Sequence, residues 1–182
     1  LFTTPPSGLG GSRPGIVAAA WAIGRHEGYG HYREFARKIA TSLSERTISK
    51  DVDYVIISGS AGYILLLLSL HQEEALPGID PLVGRLTDHL VAHVCDVDGI
   101  GWRSNVSNLP LCGFGHGRAG IGLALLEAGR FLNRPEVRTM GLAALEAEHR
   151  LRSDSPDTGW PDYRQLKVDE RHKAAYSLNA WC

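Results

Sequence analysis

Apolar and polar positions along the chain alternate between two kinds of segment. After Gly120, the residues Ile121, Leu123, Leu125, Leu126, Phe131 and Leu132 leave no clean polar stripe, the pattern of a helix buried on most sides. The segment that follows is different. Val137, Met140, Ala144, Glu148 and Leu151 mark one mainly apolar face while Arg138, Glu146 and Arg150 fall elsewhere, which predicts a half-exposed helix. Asn133 is its expected N-cap, with Glu136 at the capping-box position and Leu132 and Val137 as a hydrophobic staple. The same order recurs upstream: Tyr63 to His71 precedes Pro81 to Val94, and Ile16 to Ile23 precedes Tyr32 to Leu43. An inner ring of helices inside an outer ring accounts for this alternation. Strand signals are weak; Tyr54 to Ile57 is short, and its β-branched residues fit a helix lead-in equally well.

The helical pairs begin in related ways. Ser58-Gly59-Ser60-Ala61-Gly62-Tyr63-Ile64 and His116-Gly117-Arg118-Ala119-Gly120-Ile121 share a Gly-x-Ala-Gly core followed by an apolar helix, and Gly8 to Ile16 is a degenerate third copy. Aligning Gly15, Gly62 and Gly120 gives spacings of 47 and 58 residues, which suits one helical hairpin per repeat. The predicted fold is all-α, with stacked helix pairs.

Composition narrows the class. A chain of 182 residues with 43% hydrophobic and 21% charged side chains can bury one sizeable core. Lysine plus arginine number 19 and aspartate plus glutamate 20, so no basic excess is present to track a nucleic acid or an anionic membrane. The longest apolar run, Tyr63 to Leu70, is too short to span a bilayer, so no transmembrane segment is expected. The start of the sequence lacks the pattern of a signal peptide, so a soluble cytoplasmic protein is expected. Cys95, Cys112 and Cys182 are odd in number and form no CxxC, which disfavours a disulfide framework and a zinc ribbon. The chain starts at Leu1 and stops at Trp181-Cys182 without a helix-ending signal, and an excerpt of a longer protein is expected.

The run Cys112-Gly113-Phe114-Gly115-His116-Gly117-Arg118-Ala119-Gly120 places a histidine among four glycines ahead of a helix. Glycines there let the backbone approach closely and leave the first helix amides facing outward, favouring negative charge in front of them. Histidine is the usual proton carrier near neutral pH and a common metal ligand. On the motif alone, a structural histidine bonded to a core carbonyl is as good a reading as a functional one.

Three segments together carry a resemblance: the run from Pro110 to Gly129, the run from Ala144 to Arg164 that contains Gly159-Trp160-Pro161-Asp162, and the terminal Ala180-Trp181-Cys182. They resemble the cyclase domain of class II lanthipeptide synthetases, within the LanC-like family. The resemblance covers essentially the whole chain as one domain, residues 1–182. It implies an α/α toroid around a zinc ion, incomplete in this chain, with the remainder expected after Cys182. It also implies an activity: adding a peptide cysteine thiol across dehydroalanine or dehydrobutyrine to form a lanthionine or methyllanthionine thioether. Cys182 matches the first zinc ligand, and a Cys-His pair would follow it. Zinc would lower the pKa of the substrate thiol so that thiolate forms near neutrality. His116 matches the family histidine assigned to acid/base work. The implied partners are a dehydrated precursor peptide and a dehydratase domain ahead of Leu1. One departure stands out: the family places an aspartate four residues before the glycine corresponding to Gly59, and Val55 stands there, with Asp53 and Asp51 further upstream.

Other constellations have blander readings. His89 and His93, four apart and followed by Cys95 and Asp96, have zinc-like spacing but are expected on a solvated helix face. Asp96-Val97-Asp98-Gly99 reads as a turn, because a calcium loop needs later acids that are missing. Cys112 reads as a small buried thiol, and Asn105-Val106-Ser107 has no consequence in a cytoplasmic protein. Trp160, Pro161 and Asp162 are expected to brace a loop, with Trp21 and Trp102 in or near the core. Three functions remain open at this stage: a fragment of an active cyclase, inactive on its own; a degenerate LanC-like domain that binds peptide without catalysis, favoured by Val55; and an unrelated α/α-toroid glycoside hydrolase, for which Asp53 and Asp162 are the suggestive acids.

Overall fold

A computed structural model describes residues 13–105, 107–154 and 159–177. Three helical hairpins follow one another. The first is α1 (Arg13–Ile23) with α2 (Gly30–Thr41); a short α3 (Glu45–Ile48) leads to the second, α4 (Ser60–Glu73) with α5 (Asp80–Ala92); the third is α6 (Arg118–Phe131) with α7 (Pro135–Arg150). Within each hairpin the helices pack together, and α4 packs on both α1 and α6. The chain is thus mostly helical, as its periodicity predicts.

The contrast between α4 and α6 on one side and α7 on the other is physical. Along α4, Ala61, Tyr63, Ile64, Leu67 and Leu70 are all buried, as are Ile121, Ala124, Leu125 and Ala128 along α6. On α7, by contrast, Val137, Ala144 and Ala147 are buried while Leu142 is half exposed and Arg138 faces solvent. One core runs through all three hairpins, from Val17 and Trp21 through Leu67 and Leu86 to Leu125 and Ala144. Trp102 closes it, donating its indole N–H to the Leu90 carbonyl at 2.8 Å. Trp21 is equally buried and reaches Glu73 at 2.8 Å.

The start of α7 differs from expectation. Asn133 takes a left-handed conformation (φ 54°) after the end of α6, and the N-cap is Arg134, with no side-chain cap. Pro135 is the cause: it fits the first helical position and holds the residue before it extended, which moves the helix start one residue later. Glu136 pairs with Arg134 rather than closing a capping box.

The few strands are short. β1 (Cys95–Asp96) and β2 (Ile100–Gly101) form an antiparallel hairpin, and β3 (Trp160–Asp162) pairs antiparallel with β4 (Ala175–Ser177), across a 3-10 helix at Val168–Lys173. The Asp96 to Gly99 segment is the expected turn, with the Gly99 N–H donated to Asp96 Oδ1 at 3.2 Å. Tyr54 to Ile57 forms no strand among the described residues and instead enters the turn before α4. Trp160 to Asp162, expected as a loop brace, is a strand.

Candidate functional site

The glycine turns ahead of α4 and α6 are built alike and touch. Their N-caps, Gly59 and Gly117, have matching extended backbones (φ −119° and −118°). Three residues on, a Cβ on Gly62 would sit 1.8 Å from the Ile56 carbonyl oxygen, and one on Gly120 would sit 1.9 Å from that of Phe114. Only glycine permits so close an approach, so each turn folds back over the first turn of its own helix. The Gly115 carbonyl then accepts the N–H groups of Ile56 at 3.2 Å and Ile57 at 3.4 Å. This docking sets the His116 turn beside the turn containing Asp53 and Ser58. His116 and Ser58 occupy equivalent places, each one residue before its N-cap glycine, and both are half-buried. Ser58 Oγ donates to Asp53 Oδ2 at 3.2 Å.

The two aspartates near Val55 have different roles. Asp51 is buried and fully used: Oδ1 accepts the N–H groups of Asp53 and Tyr54, each at 3.1 Å, and Oδ2 accepts the N–H and hydroxyl of Ser60 at 2.7 and 2.6 Å. It therefore caps α4 from outside the helix and holds Tyr54 in its left-handed conformation (φ 62°). Asp53 is the more open of the pair. Val55 is 3% exposed and belongs to the core; a carboxylate at its side-chain position would be stranded.

Behind the His116 turn lies a buried polar cluster. Glu148 of α7 is 7% exposed, and its Oε1 accepts the Gly113 N–H at 2.7 Å. Arg118, 1% exposed, donates to the carbonyls of Asp98 at 3.2 Å and Pro110 at 3.3 Å, so α6 is laced to the β1–β2 hairpin and to the segment that enters the turn. Burial raises the Glu148 carboxyl above its usual range, opposed by the Gly113 N–H and the Arg118 charge. Burial, aided by the negative charge of Glu148, pushes the Cys112 thiol up to about 12. Cys112 is thus the expected buried thiol. The thiol and the Glu148 carboxyl interact, each shifting the other's titration.

Other candidates settle elsewhere. His93 is exposed, as expected, while His89 is half-buried; their rings lie 4.5 Å apart and 5.5 (His89) and 5.2 Å (His93) from the Tyr54 ring, with His89 Nε2 bonded to the Asp51 carbonyl at 2.8 Å. Cys95 Sγ donates to the Gly101 carbonyl. Asp162 is held by Arg164, which keeps its carboxyl below the usual range. No group of three or more His, Cys, Asp or Glu among the described residues could hold a metal ion. Cys182, the expected zinc ligand, lies outside them. A cavity of about 590 Å³ lined by Leu68, His71, Leu123 and Phe131 sits toward the C-terminal ends of α4 and α6, away from the docked turns.

The sequence singles out His116 as a candidate but not Asp51, Arg118 and Glu148 as the buried polar groups around the two turns. The available signal was Glu148 itself, an acid on an otherwise apolar helical face, which is rarely buried unless it has a partner.

Repeated helical hairpins opened by mutually docked glycine turns, one carrying a histidine and the other a carboxylate, define the class. The family profile described as lanthionine synthetase C-like protein matches residues 6–182, and the chain belongs to that family. No curated protein and no solved structure is significantly similar to the chain. No helix among the described residues is long and apolar enough to cross a membrane.

Proposed function

We propose that this chain is part of a lanthionine-forming cyclase, its hairpins forming part of an α/α toroid, that acts on a dehydrated precursor peptide. The observation that carries the reading is the docking of the His116 turn onto the Asp53–Ser58 turn through the Gly115 carbonyl. In the reaction, a substrate cysteine loses its thiol proton, and its sulfur bonds to Cβ of dehydroalanine or dehydrobutyrine. The resulting enolate takes a proton at Cα. His116, half-buried beside a helix start, is the group assigned to deliver that proton, and Asp53 takes the orienting role that Val55 cannot fill. The family resemblance implies a zinc ion that would promote ionisation of the thiol, with Cys182 as one ligand. The described residues offer no complete ligand set, so the roles assigned to them are those of His116 and Asp53.

The test is cyclisation by the full-length protein. Ring closure leaves the peptide mass unchanged but removes a thiol, so alkylation followed by mass spectrometry counts the rings formed. His116→Ala is expected to slow ring formation on the order of 100-fold or more while the protein stays folded. Equal rates for folded mutant and parent would remove His116 from the chemistry. A parent that binds the dehydrated peptide and never closes a ring would instead make this a peptide-binding domain.

A further inference from the structure

Two carboxylates are buried among the described residues, Asp51 and Glu148, and each ends on the backbone of one of the docked turns. The first turn carries its own acid nearby in sequence. The second has none: from Asn108 to Gly120 there is no acidic residue, and its backbone is held instead by a side chain from α7. We propose that Glu148 is a positioning residue for His116, fixing the Gly113 amide and with it the turn that carries the imidazole and docks on the Asp53–Ser58 turn.

Three observations support this. The Gly113 N–H is buried and meets the carboxyl at 2.7 Å, the short distance expected of a charge-assisted bond. Gly113 has φ 103°, a conformation with no side chain of its own to steady it. The Glu148 main-chain carbonyl meanwhile accepts the Trp160 indole N–H at 3.1 Å, so one residue ties α7, β3 and the histidine turn together. Buried hydrogen bonds of this kind hold a reacting group within the fraction of an ångström that catalysis requires. Burial raises the carboxyl's pKa without removing its capacity to accept, since a protonated carboxyl still offers an acceptor oxygen.

The kinetic side of this proposal rests on the cyclase reading; the structural side does not. Both are tested on the full-length protein with Glu148→Ala, Glu148→Asp and Glu148→Gln. Aspartate is too short to reach Gly113, and glutamine keeps an acceptor oxygen. If the alanine protein does not fold, the aspartate protein takes its place. The first readout is amide hydrogen exchange. Alanine and aspartate are expected to speed exchange across Cys112 to Gly117 by about 10-fold or more, leaving α5 unchanged, with glutamine restoring protection. The second is steady-state cyclisation. The same two variants are expected to lower kcat by roughly 10- to 100-fold with KM nearly constant, and glutamine to recover most of the loss. Unchanged exchange in the alanine and aspartate proteins, a glutamine protein as loose as the alanine one, or a rise in KM at constant kcat would each overturn the proposal. If the parent shows no cyclisation, the cyclase reading fails and hydrogen exchange alone decides whether Glu148 holds the turn.

Discussion

Replacing Asp51 by alanine should cost this protein much of its stability, and the structure supplies the magnitude. The carboxylate accepts four hydrogen bonds, three from main-chain N–H groups and one from the Ser60 hydroxyl, at 2.6–3.1 Å in a buried setting. Losing an N-cap costs about 0.5–2 kcal/mol, and each buried donor left without an acceptor costs about 1–3 kcal/mol. These terms share one side chain and do not add fully. A net loss of about 3–5 kcal/mol is expected, the scale of breaking a buried charged network. For a chain of this size that lowers Tm by roughly 6–20 °C. Thermal and urea unfolding, followed by tryptophan fluorescence, measure it. Ser60→Ala is the internal control, since it removes only the hydroxyl and should cost about 1 kcal/mol. Asp51→Asn should fall between them, because its amide presents a donor where the Ser60 N–H needs an acceptor. An Asp51→Ala protein within about 1 kcal/mol of its parent, or a Ser60→Ala protein as damaged, would refute the view that this carboxylate anchors the first turn.

Cys112 should resist alkylation at pH 8, while half-buried Cys95 reacts sooner; peptide mass mapping distinguishes them. Because burial pushes the folded Cys112 thiol up to about 12 from an ordinary 9.0, the unfolded chain loses that proton first as pH rises. Stability should therefore fall from about pH 9 toward 12 by up to about 1.4 kcal/mol per pH unit from this group, and Cys112→Ala should flatten the decline seen in urea midpoints. Gly120→Ala places a methyl 1.9 Å from the Phe114 carbonyl oxygen and should cost about 3 kcal/mol or prevent folding, whereas Gly84→Ala, with open space around it, should be tolerated. In the complete protein Asp53→Asn should lower ring formation, and Val55→Asp should destabilise without raising it; a faster Val55→Asp enzyme would return the orienting role to that position. Cys182→Ala in the same protein should lower bound zinc, as measured by elemental analysis.

The hairpins could be read from the sequence because an amphipathic or wholly apolar face repeats every few residues, and burial enforces that period directly. The glycine turns were legible for a similar reason: Gly62 and Gly120 answer to a steric demand that no other residue meets. What fixes those turns was not legible. Asp51 caps a helix that starts nine residues later, beyond the range of any capping rule, and Glu148 serves an amide 35 residues upstream. The first contact needs the turn's left-handed Tyr54, and the second exists only once α7 has folded back along α6. The misplaced cap at Asn133 has the opposite origin, since a purely local rule favoured Asn133 and the adjacent proline overrode it. The zinc-like spacing of His89 and His93 was also local information: His93 is exposed as expected, while the turn brings Tyr54 and the Asp51 carbonyl onto His89.

The shared Gly115 carbonyl also has a consequence in time. Each hairpin is closed by short-range contacts and can form early in folding, but the bonds from Ile56 and Ile57 to Gly115 join positions in different hairpins, far apart along the chain. Such contacts form late, after the entropy of closing the intervening loop has been met. The candidate site is then among the last features to appear. During synthesis, the first turn would leave the ribosome and wait for the second, exposing the half-buried Ile56 and the apolar end of α4 until the third hairpin arrives. A partly made chain would look helical by spectroscopy and yet have no assembled site.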